Sequence, residues 1–104
     1  MNKIIVQLKI DESTDFDSLI HVEDSLIQSF VDDPQVDVDG HDIGQYKFNI
    51  HIHLGDNWDA AIEKVTETLD GLGLLLRVVV AKYDGASNQY EIVRPDTYIG
   101  DFAL

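Results

Sequence analysis

The sequence predicts an α+β fold in which two amphipathic helices cover one face of an antiparallel sheet. Three observations carry this expectation. Tyr46–Leu54 alternates apolar and polar residues without a break, Leu74–Tyr83 is an apolar, β-branched run, and Trp58, Ala61, Ile62, Val65, Leu69 and Leu72 recur at helical spacing. Period-two alternation marks a strand packed on one side only, and the 3.6-residue period marks a helix with one buried stripe. A chain of 104 residues, 44% hydrophobic and 26% charged, suits one domain spanning 1–104 with a modest core.

Residues 3–10 open the chain as a strand, with Ile4, Val6, Leu8 and Ile10 on one face and Lys3, Ile5, Gln7 and Lys9 on the other. Residues 11–14 carry turn chemistry, and Thr14 is the expected N-cap of a helix, with Asp17 completing a capping box. Phe16, Leu19, Ile20, Leu26, Ile27 and Phe30 follow at helical spacing, so residues 15–32 form an amphipathic helix, and Pro34 lies just past its end. Residues 36–43 predict a shorter, more polar strand interrupted by Gly40. A turn at Gly44–Gln45 leads into the 46–54 strand, whose Phe48, Ile50, Ile52 and Leu54 share one face while Lys47, Asn49, His51 and His53 share the other. Asp56 is the expected N-cap of the second helix, which Gly71 and Gly73 end. Residues 74–83 read as an inner strand in which Arg77 alternates with Leu75 and Val79, and residues 89–93 as a return strand that Pro95 confines to an edge. The tail 96–104 keeps Tyr98, Ile99, Phe102 and Leu104, more apolar surface than disordered tails hold, so it is expected to dock on its own domain or on a neighbouring chain.

This order is the ferredoxin-like β-α-β-β-α-β sandwich with an extra C-terminal edge strand. It sets the first and third strands side by side at the centre and leaves the face opposite the helices uncovered. On that face Lys9, Lys47, Asn49, His51, His53 and Arg77 form the candidate ligand or interface surface, and Ile5, Leu75 and Val79 add apolar area to it.

The charge balance narrows the partners. Twenty acidic against seven basic side chains give a net charge of −13, a field that repels phosphate backbones and anionic bilayers, so neither nucleic acid nor membrane is an expected partner. The charge either serves solubility alone, the favoured reading, or draws a basic protein partner. The charge is sorted by element: residues 13–33 carry six acidic and no basic side chains, and residues 56–72 carry five acidic residues and Lys64. With no cysteine, disulfides and thiolate chemistry are excluded. No apolar stretch approaches the roughly 18 residues that span a bilayer, and a cytoplasmic protein is expected.

His51-x-His53 is the clearest chemical motif. Two histidines at i and i+2 of a strand point the same way and suit a transition metal, with His41 of the preceding strand as a third ligand. Asp37–Asp42 has the look of a calcium loop, but with Gly40 at the sixth position Tyr46 falls where the bidentate glutamate is required, so a twisted strand with a glycine bulge and solvated aspartates is the expected form. Gly71-Leu-Gly73 lacks the third glycine of a dinucleotide fingerprint and precedes a strand instead of following one. No P-loop and no G-x-S-x-G elbow is present. No catalytic residue is assigned and no cofactor is expected.

The leading expectation is therefore a non-enzymatic protein-interaction module that works through its open sheet face or by self-association as a homodimer. An acidic inhibitor or immunity-type protein that neutralises a basic partner is one concrete form of it. The alternatives are a metal- or small-ligand-binding domain built on His51 and His53, and a small enzyme using those histidines on an anionic substrate held by Lys9, Lys47 or Arg77.

Overall fold

In the computed structural model, which describes residues 1–104, the elements follow in the order β1 (Asn2–Lys9), α1 (Phe16–Ser29), β2 (Asp37–Gly44), β3 (Lys47–Leu54), α2 (Trp58–Gly71), β4 (Val78–Asp84) and β5 (Gln89–Arg94). The five strands form one open sheet in the order β2-β3-β1-β4-β5, every neighbour antiparallel.

The period-two pattern decides the faces. Across β1 and β3, Ile4 opposes Ile52, Val6 opposes Ile50 and Leu8 opposes Phe48, which stacks apolar pairs on one side. Ile5 opposes His51, Gln7 opposes Asn49 and Lys9 opposes Lys47 on the other. The apolar rows meet Leu19, Val22, Leu26 and Phe30 from α1 and its end, and Ala61, Val65 and Leu69 from α2, in a single core cluster of 17 buried residues. Both helices thus lie against the same side, and packing of their stripes, more than helix propensity, holds them there.

The element ends differ from the sequence reading for local reasons. Asp15, not Thr14, caps α1 and accepts from the Asp17 amide at 3.1 Å, because the Thr14 hydroxyl is taken up by Asp11, bonding its amide at 2.8 Å and its carboxylate at 3.2 Å. Asn57, not Asp56, sits at the N-cap of α2 and makes no side-chain cap bond. After α2, Gly73 adopts φ 72°, and the Leu74 amide bonds back to the Leu69 carbonyl at 3.0 Å, a glycine-dependent helix stop. A tight turn follows, with Arg77 N–H on the Leu74 carbonyl at 2.8 Å. The apolar run from Leu74 therefore spends four residues on this turn before β4 begins, and Leu74 and Leu75 pack against the helix-side core. Leu75 does not join the opposite sheet face as expected.

One irregularity reorders β2. Val38 opposes Ile52, but His41 opposes Ile50, so β2 holds one residue more than β3 between these pairs. Gly40 at φ 93° makes the bulge possible. The extra residue reverses the alternation: His41 turns to the helix side and Asp42, opposite Asn49, to the helix-free side.

Leu26 is fully buried within the core cluster. Leu26→Ala is expected to cost about 2–5 kcal/mol, read as a lowered urea midpoint at unchanged slope.

Candidate functional site

The helix-free face of the sheet is not bare. Ile5 and Ala81, cross-strand partners on that side, are fully buried, and Gln7 is 6% exposed. The cover is the C-terminal tail. The Ala103 carbonyl accepts from Gln7 Nε2 at 2.9 Å and from Lys47 Nζ at 3.0 Å. Phe102 packs on Tyr90 of β5 with ring centroids 5.1 Å apart, and Tyr90 packs on Tyr83 of β4 at 4.9 Å. Leu104 reaches β2, where a Cβ added to Gly44 would meet its carbonyl oxygen at 2.7 Å. The tail docks on its own domain, crossing the face from β5 to β2.

Beneath it runs a polar chain. Gln7 Nε2 also donates to Asn49 Oδ1 at 2.9 Å, Asn49 Nδ2 donates to Asp42 Oδ1 at 3.0 Å, and Asp42 Oδ2 lies 2.7 Å from His51 Nε2. Asn49 is fully buried, so its amide needs both partners. Burial acts to raise the Asp42 pKa, but hydrogen bonds from Asn49 and His51, with the attraction of His51 and Lys3, outweigh it and hold the carboxyl below its usual range. Burial, then Tyr83 and the Asp42 charge, push the Tyr90 phenol above its ordinary value.

The histidines divide between the two faces. His51 and His53 both lie on the helix-free side, and each faces a carboxylate of β2: His51 that of Asp42, and His53 that of Asp39 at 3.3 Å. His41 stands on the opposite side because of the bulge. Its Nδ1 meets the Glu23 carboxylate at 2.9 and 3.1 Å, and its ring stacks on Phe48 at 4.4 Å. The proposed three-histidine grouping is thus split by the sheet, and no cluster of three or more His, Asp or Glu side chains has the arrangement of a metal site. From the sequence, Asp39 and Asp42 stand beside His41 within reach of the histidine pair but are not assigned to His53 and His51, and Glu23 is not singled out. The glycine bulge at Gly40 is expected and present; its reversal of the β2 faces is the new finding.

Lys9 and Lys47, with Arg77 one residue ahead of β4, meet at the end of the face beside the β2–β3 turn. Together with Gln45, Tyr46 and Tyr98 they border a cavity of about 310 Å³. Tyr46 occupies the left-handed region at φ 60°, and its carbonyl accepts from the Ile10 amide at 2.8 Å.

The helical layer is different in character. Asp17, Asp24, Asp59, Glu63, Glu67 and Asp70 are all exposed, and none belongs to any of the four ion pairs of the molecule. A groove between α1 and α2 holds two open cavities of about 430 and 420 Å³ that meet at His21 and Leu72, with Asp17, Asp24 and Glu67 on their rims. No helix is long and apolar enough to cross a membrane. Comparison with family models, with curated proteins and with solved structures finds no match.

Two outcomes follow from the sheet face. Because the Asp42 pKa is depressed in the folded chain, its stabilisation is present above the unfolded carboxyl value, near about pH 4, and is lost as pH falls through the folded value. Asp42→Asn should destabilise the protein by up to about 1 kcal/mol at pH 7, with thermal melts of variant and parent converging in more acidic buffer. Gly44→Ala should lift the tail by collision with Leu104, seen as faster amide exchange at residues 102–104 while the β2 and β3 amides stay protected.

Proposed function

We propose that this protein is a non-enzymatic interaction module that captures a basic protein partner on the acidic outer surface of α1 and α2, in the manner of an inhibitor that neutralises a cationic target. Its fold is read as ferredoxin-like with β5 as an added edge strand, a reading supported by the central β3-β1 pair and the helices on one side.

The observation that carries the proposal is the set of six exposed helical carboxylates without a single ion-pair partner. Like charges this dense repel one another in the free protein, and a cationic partner relieves that repulsion while the same field speeds its capture. The groove supplies the concavity that such a partner needs to seat a side chain or helix. An enzymatic reading has less support, since the histidines face paired carboxylates on a shallow surface and the cavities are open grooves that do not exclude water. A homodimer through the sheet has less to gain than the sequence implied, because Ile5 and Ala81 are already fully buried and the tail lies across this face.

Titration of a lysine-rich helical peptide tests this. Binding should be clear at low salt and weaken more than about tenfold near 0.5 M salt, where screening acts over about 4 Å. The groove variant Asp24→Asn/Glu67→Gln should lose most of the affinity, and the equally charge-reducing Asp96→Asn/Asp101→Asn should keep it. Equal losses in the two variants would mean that bulk charge alone is at work and would overturn the groove.

A further inference from the structure

We infer that the end of the helix-free face formed by Lys9, Lys47 and Arg77 binds a small organic oxyanion, a carboxylate or phosphate carried on a ring-shaped body. The site is separate from the helical groove and lies on the other side of the sheet.

The seven cations of the chain are used unequally. Lys3 lies over the Tyr83 ring, Lys64 over Phe30 and Lys82 over Trp58, at 5.4, 5.3 and 4.6 Å from the centroids. Lys82 also pairs with Glu91, and Arg94 has its Nε buried. The remaining three are Lys9, Lys47 and Arg77. They line one cavity, and in a chain with 20 carboxylates none of the three reaches one. Lys9 and Lys47 are direct cross-strand partners, a placement that is destabilising for like charges. An anion seated between them removes that repulsion.

The remaining walls fit an organic anion better than a bare ion. The cavity, about 310 Å³, falls at the lower end of small-molecule sites, roughly 300–1,000 Å³. Tyr46, Tyr98 and Val79 give it aromatic and apolar sides. Tyr46 is held at φ 60° although its side chain is 71% exposed, so no burial offsets the backbone strain of a bulky residue in this region. Strain held at an exposed aromatic beside a cavity is a mark of use. Lys47 donates only to the uncharged Ala103 carbonyl, which leaves two of its three N–H groups for a ligand. Arg77 adds a planar fork matched to an oxyanion.

Two carboxylates stand nearby, Asp11 and Glu12, which with Lys9, Ile10 and Tyr46 border the adjoining cavity. Asp11 accepts from the Ser13 hydroxyl at 2.7 Å and the Ser13 amide at 2.9 Å, and these bonds, with Thr14 and the attraction of Lys9, hold its carboxyl below the usual range. The distant helical acids are screened over about 8 Å at physiological salt, so the local cations dominate inside the cavity.

Phenyl phosphate, titrated into the full chain and followed by amide chemical shifts, is the direct probe. Saturable shifts confined to the neighbourhood of Lys9, Tyr46, Arg77 and Tyr98 are expected. Lys9→Gln/Arg77→Gln should weaken binding roughly tenfold or more, and Lys64→Gln, on the helical side, should leave it unchanged. Tyr46→Gly should raise the melting temperature by relieving the φ strain and yet weaken phenyl phosphate, an outcome that separates binding from folding. Inorganic phosphate should bind several-fold more weakly than phenyl phosphate. Shifts that stay linear to the solubility limit, an unchanged affinity in the double variant, or equal binding of inorganic phosphate would each overturn the site as described.

Discussion

One buried polar chain governs how the two sides of this molecule are finished. Ala103, Gln7, Asn49 and Asp42 are joined by three hydrogen bonds of 2.9–3.0 Å that tie the tail to β1, β3 and β2 in turn. Gln7 Nε2 has two N–H donors, and the Asn49 side chain and the Ala103 carbonyl take them both. Without the tail, water would replace the Ala103 carbonyl on Gln7 Nε2, so this bond contributes about 0.5–1.5 kcal/mol net, and the helix-free face would lose its cover. The helix side needs no such device, because apolar rows on β1 and β3 meet apolar stripes on α1 and α2. Hydrophobic burial therefore fixes helices to sheet, and hydrogen bonding fixes tail to sheet.

That division shapes where a partner can act. A tail laid from β5 to β2 leaves two regions of the surface with unspent electrostatics. One is the helical layer, where six exposed carboxylates take part in no ion pair. The other is the sheet end beside the β2–β3 turn, where three cations line one cavity and none forms an ion pair. The histidine pairs lie between these regions and belong to the framework: His51 and His53 join β3 to Asp42 and Asp39 of β2, and His41 joins β2 to Glu23 of α1. All three pairs attach the edge strand β2 to its neighbours.

The strands and helices were legible because their patterns are unmixed. Phe48, Ile50, Ile52 and Leu54 could alternate onto one face only, and Trp58 through Leu72 could share only a helical stripe. Placement of His51, His53, Asn49, Lys47 and Lys9 on one side follows from parity alone, which the β1–β3 register preserves. Parity failed where the backbone breaks it. The bulge beside Gly40 adds a residue to β2, which sends His41 to the helices and brings Asp42 under Asn49, and no period-two argument can register that shift. Leu74–Leu76 looked like strand because its residues are apolar, but the helix stop at Gly73 and the turn after it send Leu74 and Leu75 to the core and leave Leu76 in solvent. The tail was legible as a segment that must dock. Its destination was not, since the acceptor is a backbone carbonyl, which carries no residue signature.

The position of the tail is tested most directly by proton–proton Overhauser contacts in the intact chain at neutral pH. Contacts are expected between the Phe102 and Tyr90 rings, and between Ala103 and a slowly exchanging Gln7 side-chain amide. Narrow, random-coil resonances for residues 96–104 with neither contact would contradict it.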